Sequence, residues 1–167
     1  AGLEQLRQLT TEGENAEAYW SFDGQKLSMQ RRAGDAQCDR IYTMKLFENG
    51  QAVPQPQPVQ LSSGKGATTC AHYDPDNQQV LYASTHLGGD ACPPRPDMSQ
   101  GYVWALYHSY EIFKTKDDGS GLPRLPSSPG YDAEGTVCAK DGSVVFTSTR
   151  DGDIELYRMD ADGSNVK

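Results

Sequence analysis

Apolar residues in this chain come in short runs that are rich in β-branched and aromatic side chains. Three of the clearest are VLYAST (80–85), VVFTST (144–149) and IELYRM (154–159). Asp-Gly, Asn-Gly and Asp-Asn pairs lie between such runs, and these pairs tolerate the positive φ that tight hairpins require. Partial alternation of apolar and polar residues is typical of antiparallel strands, and no stretch of helical length shows a competing 3.6-residue period. The pattern predicts an all-β chain of short strands.

Residues 13–35 and 130–153 are two copies of one unit. With one gap, GENAEAYWSFDGQKLSMQRRAGD aligns with GYDAEGTVCAKDGSVVFTSTRDGD. The matching blocks are Ala16-Glu17 with Ala133-Glu134, Asp23-Gly24 with Asp141-Gly142, and Arg32, Gly34 and Asp35 with Arg150, Gly152 and Asp153. Internal similarity of this kind identifies a repeat architecture.

A third copy lies between these two. It has YDPD (73–76) before the strand VLYAST (80–85), and its last part, EIFKTKDDGSGLPRL (111–125), parallels ELYRMDADGSNVK (155–167). The first copy ends similarly in IYTMKLFENG (41–50). Each unit therefore predicts three strands joined by tight turns. We interpret DADGSN (160–165) as a hairpin turn, because its glycine comes too early for a calcium-binding loop.

The N-terminal segment LEQLRQLTTEG (3–13) has leucines three residues apart, a spacing found on one face of a helix. Thr10, Thr11 and Gly13 would end such a helix early. We therefore interpret Leu6 to Thr10 as an outer strand that precedes the first unit.

One antiparallel sheet of three or four strands cannot bury both of its faces. Sheets that repeat about every 40 to 50 residues bury them against their neighbours around an axis, which makes a β-propeller. The expected blades cover about residues 9–50, 59–120 and 125–167, with an insertion at 86–110 in the middle blade. The fold class is thus all-β, with three antiparallel propeller blades.

The repeat resembles the TolB-like, WD-repeat-related propeller repeat, whose pattern is A-E-x-x-x-S-x-D-G-x-x-[I/L/V]-x-[F/M]-x-S-x-R-x-G-D-x-[D/E]-[I/L]-Y-x-M-x-A-D-G-S. The last copy has AEGTVCAKDGSVVFTSTRDGDIELYRMDADGSN (133–165), with Ala139-Lys140 in place of an SP-like dipeptide. The resemblance covers nearly the whole chain and implies a propeller. It is weak for function, because such blades serve periplasmic partner-binding proteins, gating propellers of serine peptidases and some lyases.

Three blades are half of the six-bladed ring that the resemblance implies. The chain ends at Asn165 to Lys167, where a further outer strand is expected to begin. Three arrangements follow: a fragment of a longer protein, two copies that form a homodimeric six-bladed ring, or an open half-ring. The last is disfavoured because exposed strand edges invite aggregation.

Charge and hydropathy exclude two classes of partner. The 23 Asp and Glu against 15 Lys and Arg give a formal net charge of −8, which repels nucleic acid over most of the surface. No run approaches the roughly 18 apolar residues that cross a bilayer, so we expect no membrane insertion.

The four cysteines, Cys38, Cys70, Cys92 and Cys138, form no C-x-x-C pair, which disfavours a thiolate zinc site. Two disulfides would allow three connectivities, and free thiols are equally compatible with the sequence. Cys138 lies in the apolar stretch TVCA and is predicted to be a core residue, whereas Cys38 and Cys92 lie in loop-like surroundings. Together with the resemblance, the cysteines indicate an exported protein, periplasmic or extracellular.

The insertion in the middle blade concentrates aromatic and charged residues. Its candidate ligand-binding residues are Arg95, Tyr102, Trp104 and Tyr110. A polar-aromatic loop on one face of a repeat array suits recognition of a peptide, glycan or protein. The alternative is that these aromatic residues only pack the loop onto neighbouring blades.

Glu17 and Glu134 share one repeat position, on the strand expected to line the central channel, with Thr69 at the equivalent place in the middle copy. Channel carboxylates could bind a cation or a ligand amine, or act as general bases. Alternatively, each accepts backbone hydrogen bonds or pairs with an arginine such as Arg32 or Arg150.

His86, Asp90 and one channel glutamate could form a divalent-metal site. His86 also occupies the repeat position of Arg150, so a structural hydrogen bond explains it more simply. Neither a G-x-S-x-G motif nor a complete P-loop is present in the sequence.

The function that these features favour is a non-catalytic binding scaffold with no cofactor, which recognises a protein or peptide at the channel mouth and the insertion. Two alternatives stay open. One is the propeller domain of a larger serine hydrolase or peptidase, and the other is a metal-assisted polysaccharide lyase or hydrolase.

Overall fold

The computed structural model describes residue 4, residues 6–125 and residues 128–167. It contains twelve strands and one short 3-10 turn at His86–Gly88. The strands are β1 (Glu14–Trp20), β2 (Lys26–Arg32), β3 (Arg40–Lys45), β4 (Phe47–Glu48), β5 (Gln51–Ala52), β6 (Pro58–Gln60), β7 (Thr68–Tyr73), β8 (Gln79–Ser84), β9 (Glu111–Lys116), β10 (Asp132–Val137), β11 (Val144–Ser148) and β12 (Glu155–Met159). No helix in the described residues is long and apolar enough to cross a bilayer.

The strands form three successive antiparallel sheets, which confirms the all-β prediction. Their orders are β1-β2-β3-β6, β7-β8-β9 and β10-β11-β12, and β4-β5 is a small separate hairpin. Strand β7 contacts all of β1, β2 and β3, and β10 contacts all of β7, β8 and β9. The second and third sheets therefore each stack their first strand onto the preceding sheet, as blades do in a partial propeller.

Each sheet also has an outer fourth position. In the first sheet it is β6, and in the second Arg124 forms a single bridge with Phe113. In the third sheet, Lys167 exchanges two backbone hydrogen bonds with Arg158, of 2.9 and 3.0 Å. The turn at 160–165 is confirmed as the connection that leads there.

The prediction of a strand at Leu6 to Thr10 is wrong. These residues pair with no sheet, because β6 already occupies the edge of β3. The segment is held instead by Arg7, whose guanidinium donates hydrogen bonds to the carbonyls of Val53 and Pro54. Leu9 packs against the outward face of the first sheet.

The core lies between the sheets rather than within one layer. One cluster fills the junction of the first and second sheets: Ile41, Leu61, Ala71, Tyr73, Val80 and Tyr82. Another fills the next junction: Leu81, Ile112, Leu125, Val144, Phe146 and Met159. Strand β8 supplies alternate residues to both clusters, so its apolar run is continuous, as expected of a strand covered on both faces.

A buried ion pair of the second blade also contacts the third sheet. The Lys114 ammonium lies 2.8 Å from the Asp74 carboxylate and donates to the carbonyl of Ala161, also at 2.8 Å. Burial raises the pKa of the Asp74 carboxyl, and the hydrogen bond from Lys114 opposes that shift. Lys114 therefore ties the second sheet to the third.

A disulfide joins Cys38, just before β3, to Cys92 in the insertion, with Cα atoms 5.9 Å apart. It attaches the inserted loop of the second blade to the first blade. Cys70 and Cys138 are free thiols. The prediction that Cys138 is a core residue is wrong: it follows the end of β10 at a tight turn, where its side chain is exposed.

Replacing Cys92 with serine should lower the free energy of unfolding by about 2–4 kcal/mol, because the unfolded chain regains the freedom of the closed loop. Denaturant unfolding of protein purified without reductant measures this. Cys138→Ser is the matched control and should change stability by less than about 0.5 kcal/mol. Finding four free thiols in the denatured wild-type protein would contradict the pairing.

Lys114→Met should lower the free energy of unfolding by about 3 kcal/mol, because Asp74 is left as an uncompensated buried charge. Adding Asp74→Asn should recover part of that loss. Lys116→Met, at an exposed lysine of the same strand, serves as the control and should change little. Equal stability of Lys114→Met and the wild type in denaturant titrations would argue against the ion pair.

Candidate binding site in the central groove

The first strand of every sheet carries a β-bulge at the same point. The register shifts between Ala16 and Tyr19 in β1, between Thr69 and His72 in β7, and between Ala133 and Thr136 in β10. At each bulge one residue other than glycine has positive φ: Glu17 at 48°, Cys70 at 49° and Glu134 at 58°. Such bulges redirect a side chain out of the regular alternation of a strand.

Cys70, not Thr69, is the equivalent of Glu17 and Glu134. Thr69 pairs with Ala83 before the bulge, whereas Cys70 has the positive φ. The expectation for Thr69 is thus displaced by one residue. The reason is that the last copy has one more residue between its bulge and the following turn than the other two, so counting back from Asp76 with the spacing of the last copy gives Thr69.

The three bulged strands line one groove of about 380 Å³ together with part of the insertion. The residues at its surface are Glu17, Tyr19, Gln30, Thr69, Cys70, His72, Trp104, Glu134 and Thr136. Two predicted site residues from distant repeats, Glu17 and Glu134, therefore meet here with a third, Trp104 from the insertion.

Hydroxyl groups hold the two carboxylates in place. Tyr19 donates a hydrogen bond to Glu17, while Tyr131 and Thr147 donate to the two oxygens of Glu134 at 3.2 and 2.9 Å. These bonds orient the carboxylates but leave their negative charge without a cation.

The pairing of the channel glutamates with Arg32 or Arg150 is not formed, because both arginines pair with other carboxylates. Arg32 pairs with Glu14, and Arg150 lies 3.2 Å from Asp132. In the part of the chain that the structure describes, neither Glu17 nor Glu134 forms a salt bridge.

Gln30 connects the middle bulge to the first sheet. Its side-chain oxygen accepts hydrogen bonds from the Thr69 hydroxyl at 2.6 Å and the Cys70 amide at 2.9 Å. Its amide nitrogen donates to Asp39 at 3.2 Å. The floor of the groove is therefore cross-linked between two blades.

Burial favours the uncharged forms of two groove side chains, His72 and Cys70. It lowers the pKa of His72, with Glu17 acting in the opposite direction, and it raises the pKa of the Cys70 thiol. The hydrogen bond to Glu17, followed by burial, raises the pKa of Tyr19 to about 12. A protonated thiol is a poor nucleophile, so this chemistry favours binding over covalent catalysis.

The aromatic residues of the insertion divide into two groups. Trp104 is 63% exposed at the groove and Tyr102 is 80% exposed beyond it. Tyr110 is half-buried and packs edge-on against Tyr131, with ring centroids 5.7 Å apart. Tyr110 thus anchors the loop, in agreement with the alternative that the aromatic residues of the insertion pack it onto neighbouring blades. Trp104, Tyr102 and Arg95 are exposed and accessible to a ligand.

The proposed metal site at His86 and Asp90 is not formed. The ring nitrogen Nδ1 of His86 lies 2.8 Å from the Ser84 hydroxyl, and the Asp90 carboxylate pairs with Lys65 at 2.9 Å. Among the described residues, no three His, Cys, Asp or Glu side chains are close enough to hold a metal ion.

His86 has the structural role that its repeat position predicts. Arg150, its counterpart, bonds through Nε to Ser148 at 2.9 Å, just as His86 contacts Ser84. The ring of His86 also lies on Phe113, with centroids 4.4 Å apart.

Sequence reasoning missed several groove residues: Tyr19, Gln30, Cys70, His72 and Thr136. Tyr19, His72 and Thr136 occupy one repeat position, two residues after the bulge. Aligning the copies strand by strand would have exposed this shared position. Gln30 lies on β2, so an alignment of the bulged strands would not have identified it.

No family model matches this sequence. A protein assigned as TolB in Agrobacterium tumefaciens has a similar structure, with a TM-score of 0.65 and 22% sequence identity. The match covers 92% of this chain and 49% of that protein. TolB from Acinetobacter baumannii gives a TM-score of 0.63 and 18% identity over 90% of this chain and 31% of that protein. The chain thus spans half or less of each TolB structure.

These identities establish the fold alone. The chain has the fold of part of a TolB-type propeller, which confirms the fold class expected from its repeat.

Glu17→Gln should lower the pKa of His72 further, because the negative charge of Glu17 stabilises the protonated imidazole. An NMR titration of the histidine ring signals measures the shift. Glu14→Gln is the matched control, since Glu14 lies on the same strand but pairs with Arg32. An unchanged or higher His72 pKa in Glu17→Gln would show that the two side chains do not interact.

Proposed function

We propose that this chain is a non-catalytic binding module of TolB-like propeller type, which recognises a protein or peptide at the central groove and the inserted loop. The observation that carries this proposal is the pair of carboxylates, Glu17 and Glu134, which form no salt bridge with any described residue and line one groove with the exposed Trp104. The preferred ligand group is a lysine or arginine side chain or a terminal amine.

Charge supports a cationic ligand group. Two carboxylates in one groove, on a chain of net charge −8, attract a cation and repel an anion. The exposed ring of Trp104 adds attraction, because aromatic rings bind cations through their quadrupole.

Size supports recognition of one or two side chains. A groove of about 380 Å³ lies near the lower end of the range of roughly 300–1,000 Å³ found for ligand pockets. A short peptide segment or a protruding loop of a partner protein fits such a volume.

The inserted loop extends this surface and is held in shape before binding. The Cys38–Cys92 disulfide fixes one part of it, and the Tyr107 hydroxyl donates to the carbonyl of Pro94. A loop that is already ordered loses less conformational entropy when a ligand binds. Tyr102 and Arg95 would then contact the ligand outside the groove.

The alternatives differ in how they relate to this groove. A metal-assisted lyase loses its support, because the proposed ligands His86 and Asp90 are engaged elsewhere. A propeller that belongs to a larger hydrolase would use the same groove to admit a substrate, so the binding step proposed here is common to both functions.

An exported location fits the same proposal. The Cys38–Cys92 disulfide is of the kind that persists in oxidising compartments such as the periplasm and the cell exterior.

The proposal predicts that an amidated tri-lysine peptide binds and that a tri-glutamate peptide of equal length does not. Calorimetry measures the affinity, and added salt should weaken it because the attraction is largely electrostatic. Glu17→Gln and Glu134→Gln should each reduce the affinity about threefold to tenfold, as expected for partly exposed charge pairs.

Trp104→Ala should weaken binding as well, while Trp20→Ala, at a 55% exposed tryptophan outside the groove, is the matched control. Equal binding of the two peptides, or unchanged affinity in both glutamine variants, would overturn the proposed function.

A further inference from the structure

Arg40 occupies a repeat position at which the other two sheets have glutamate. Arg40, Glu111 and Glu155 are each the first residue of the third strand of their sheets, and the strand registers align them. Glu111 lies 3.3 Å from Arg124, and Glu155 is exposed to solvent. Arg40, in contrast, is only 8% exposed. The first sheet therefore has a buried positive charge at the point where the other two sheets have a negative charge.

The guanidinium of Arg40 has one edge without a partner. Its Nη1 donates hydrogen bonds to the carbonyls of Gly66 and Asp39 and to the sulfur of Cys38. Its Nε and Nη2 bond to no residue that the structure describes, and Arg40 forms no salt bridge in that part of the chain. Two parallel N–H groups of this kind match the two oxygens of a carboxylate. A ligand that supplies the missing negative charge would offset the cost of burying the guanidinium.

Arg40 lines a cavity of about 680 Å³, a volume within the range of roughly 300–1,000 Å³ found for ligand pockets. Asp35 and Gln37 reach this cavity from the turn after β2, Gln60 from β6 and Asp90 from the insertion. The disulfide of the insertion fixes the last of these walls. The cavity thus combines a preformed wall with a buried cation.

The charged groups of the cavity indicate what kind of ligand fits. The carboxylate of Asp90 lies 2.9 Å from the Lys65 ammonium, so these two charges neutralise each other. Asp35 is exposed and forms no salt bridge with a described residue. One positive charge, on Arg40, and one negative charge, on Asp35, therefore remain for a ligand. Asp35 repels a simple anion, and it repels a dianion such as phosphate more strongly.

We propose that this cavity binds a small zwitterion of the amino-acid type. The carboxylate of the ligand pairs with Nε and Nη2 of Arg40, and its ammonium group pairs with Asp35. The site is separate from the central groove, since no residue lines both cavities. It therefore adds a second binding activity that does not depend on the proposed recognition of a cationic group.

An NMR titration of the ¹⁵N-labelled chain tests this inference at constant ionic strength. The probes are alanine and 4-aminobutyrate, two zwitterions of different length, with propionate and phosphate as anions that lack an ammonium group. At least one zwitterion should shift the Nε–H signal of Arg40 and the amide signals of Gln37 and Gly64, with a dissociation constant on the order of 1 mM. Propionate should bind about fivefold more weakly, and phosphate more weakly still, because Asp35 repels both.

Two variants separate the roles of the charged groups. Arg40→Lys keeps the charge but loses the planar fork, and should weaken binding of the zwitterion about tenfold. Asp35→Asn should weaken it about fivefold while propionate binds no more weakly than before. Asp153→Asn is the matched control, because Asp153 occupies the repeat position of Asp35 in the last copy and lies outside the cavity, so binding should not change.

The dispersion of the amide signals shows whether each variant is folded, and the exposed Asp35 keeps the test decisive if Arg40→Lys does not fold. The proposal is overturned if neither zwitterion shifts these signals at about ten times the expected dissociation constant. Equal affinities for propionate and the zwitterions, or unchanged zwitterion binding in Asp35→Asn, would overturn it as well. Binding of the tri-lysine peptide at the central groove is measured separately, so failure of either site leaves the other unaffected.

Discussion

The structure depends on the burial of both faces of each small sheet. A single sheet of three or four strands cannot bury both of its faces, so the apolar side chains on those two faces need separate partners. In this chain the partners are other copies of the same sheet. Strand β8 shows the consequence, since Val80 and Tyr82 fill one junction while Leu81 fills the next. Stacking of repeats thus replaces the single core of an ordinary domain.

Stacking around an axis also builds the groove. It brings the first strands of all sheets together, and the bulge in each strand turns one side chain into the shared space. A residue other than glycine in the left-handed region costs of order 1 kcal/mol, and here the surrounding ladders impose that conformation at Glu17, Cys70 and Glu134. The most strained backbone of the blades therefore coincides with the residues best suited to bind a ligand.

The polar contacts of the molecule separate structural from binding roles. Arg150 and His86 occupy one repeat position and each contacts a serine of its own sheet, so they stabilise the blades. Glu17 and Glu134 accept hydrogen bonds from hydroxyl groups only, which position their charge without neutralising it. The insertion adds Trp104 to this surface, and the Cys38–Cys92 bond holds the loop that carries it.

The sequence by itself determined the all-β class, the three repeated units and the shared position of Glu17 and Glu134, because turn pairs and strand patterns are local signals that recur in each copy. Only the tertiary structure decided that Leu6 to Thr10 form no strand, that Cys138 is exposed and that His86 and Asp90 are held by separate partners. Each of these depends on a strand edge, a turn or a side-chain partner distant in sequence. The meeting of Trp104 with the channel carboxylates is likewise a result of stacking, since residues from three blades become neighbours only when their sheets share one axis.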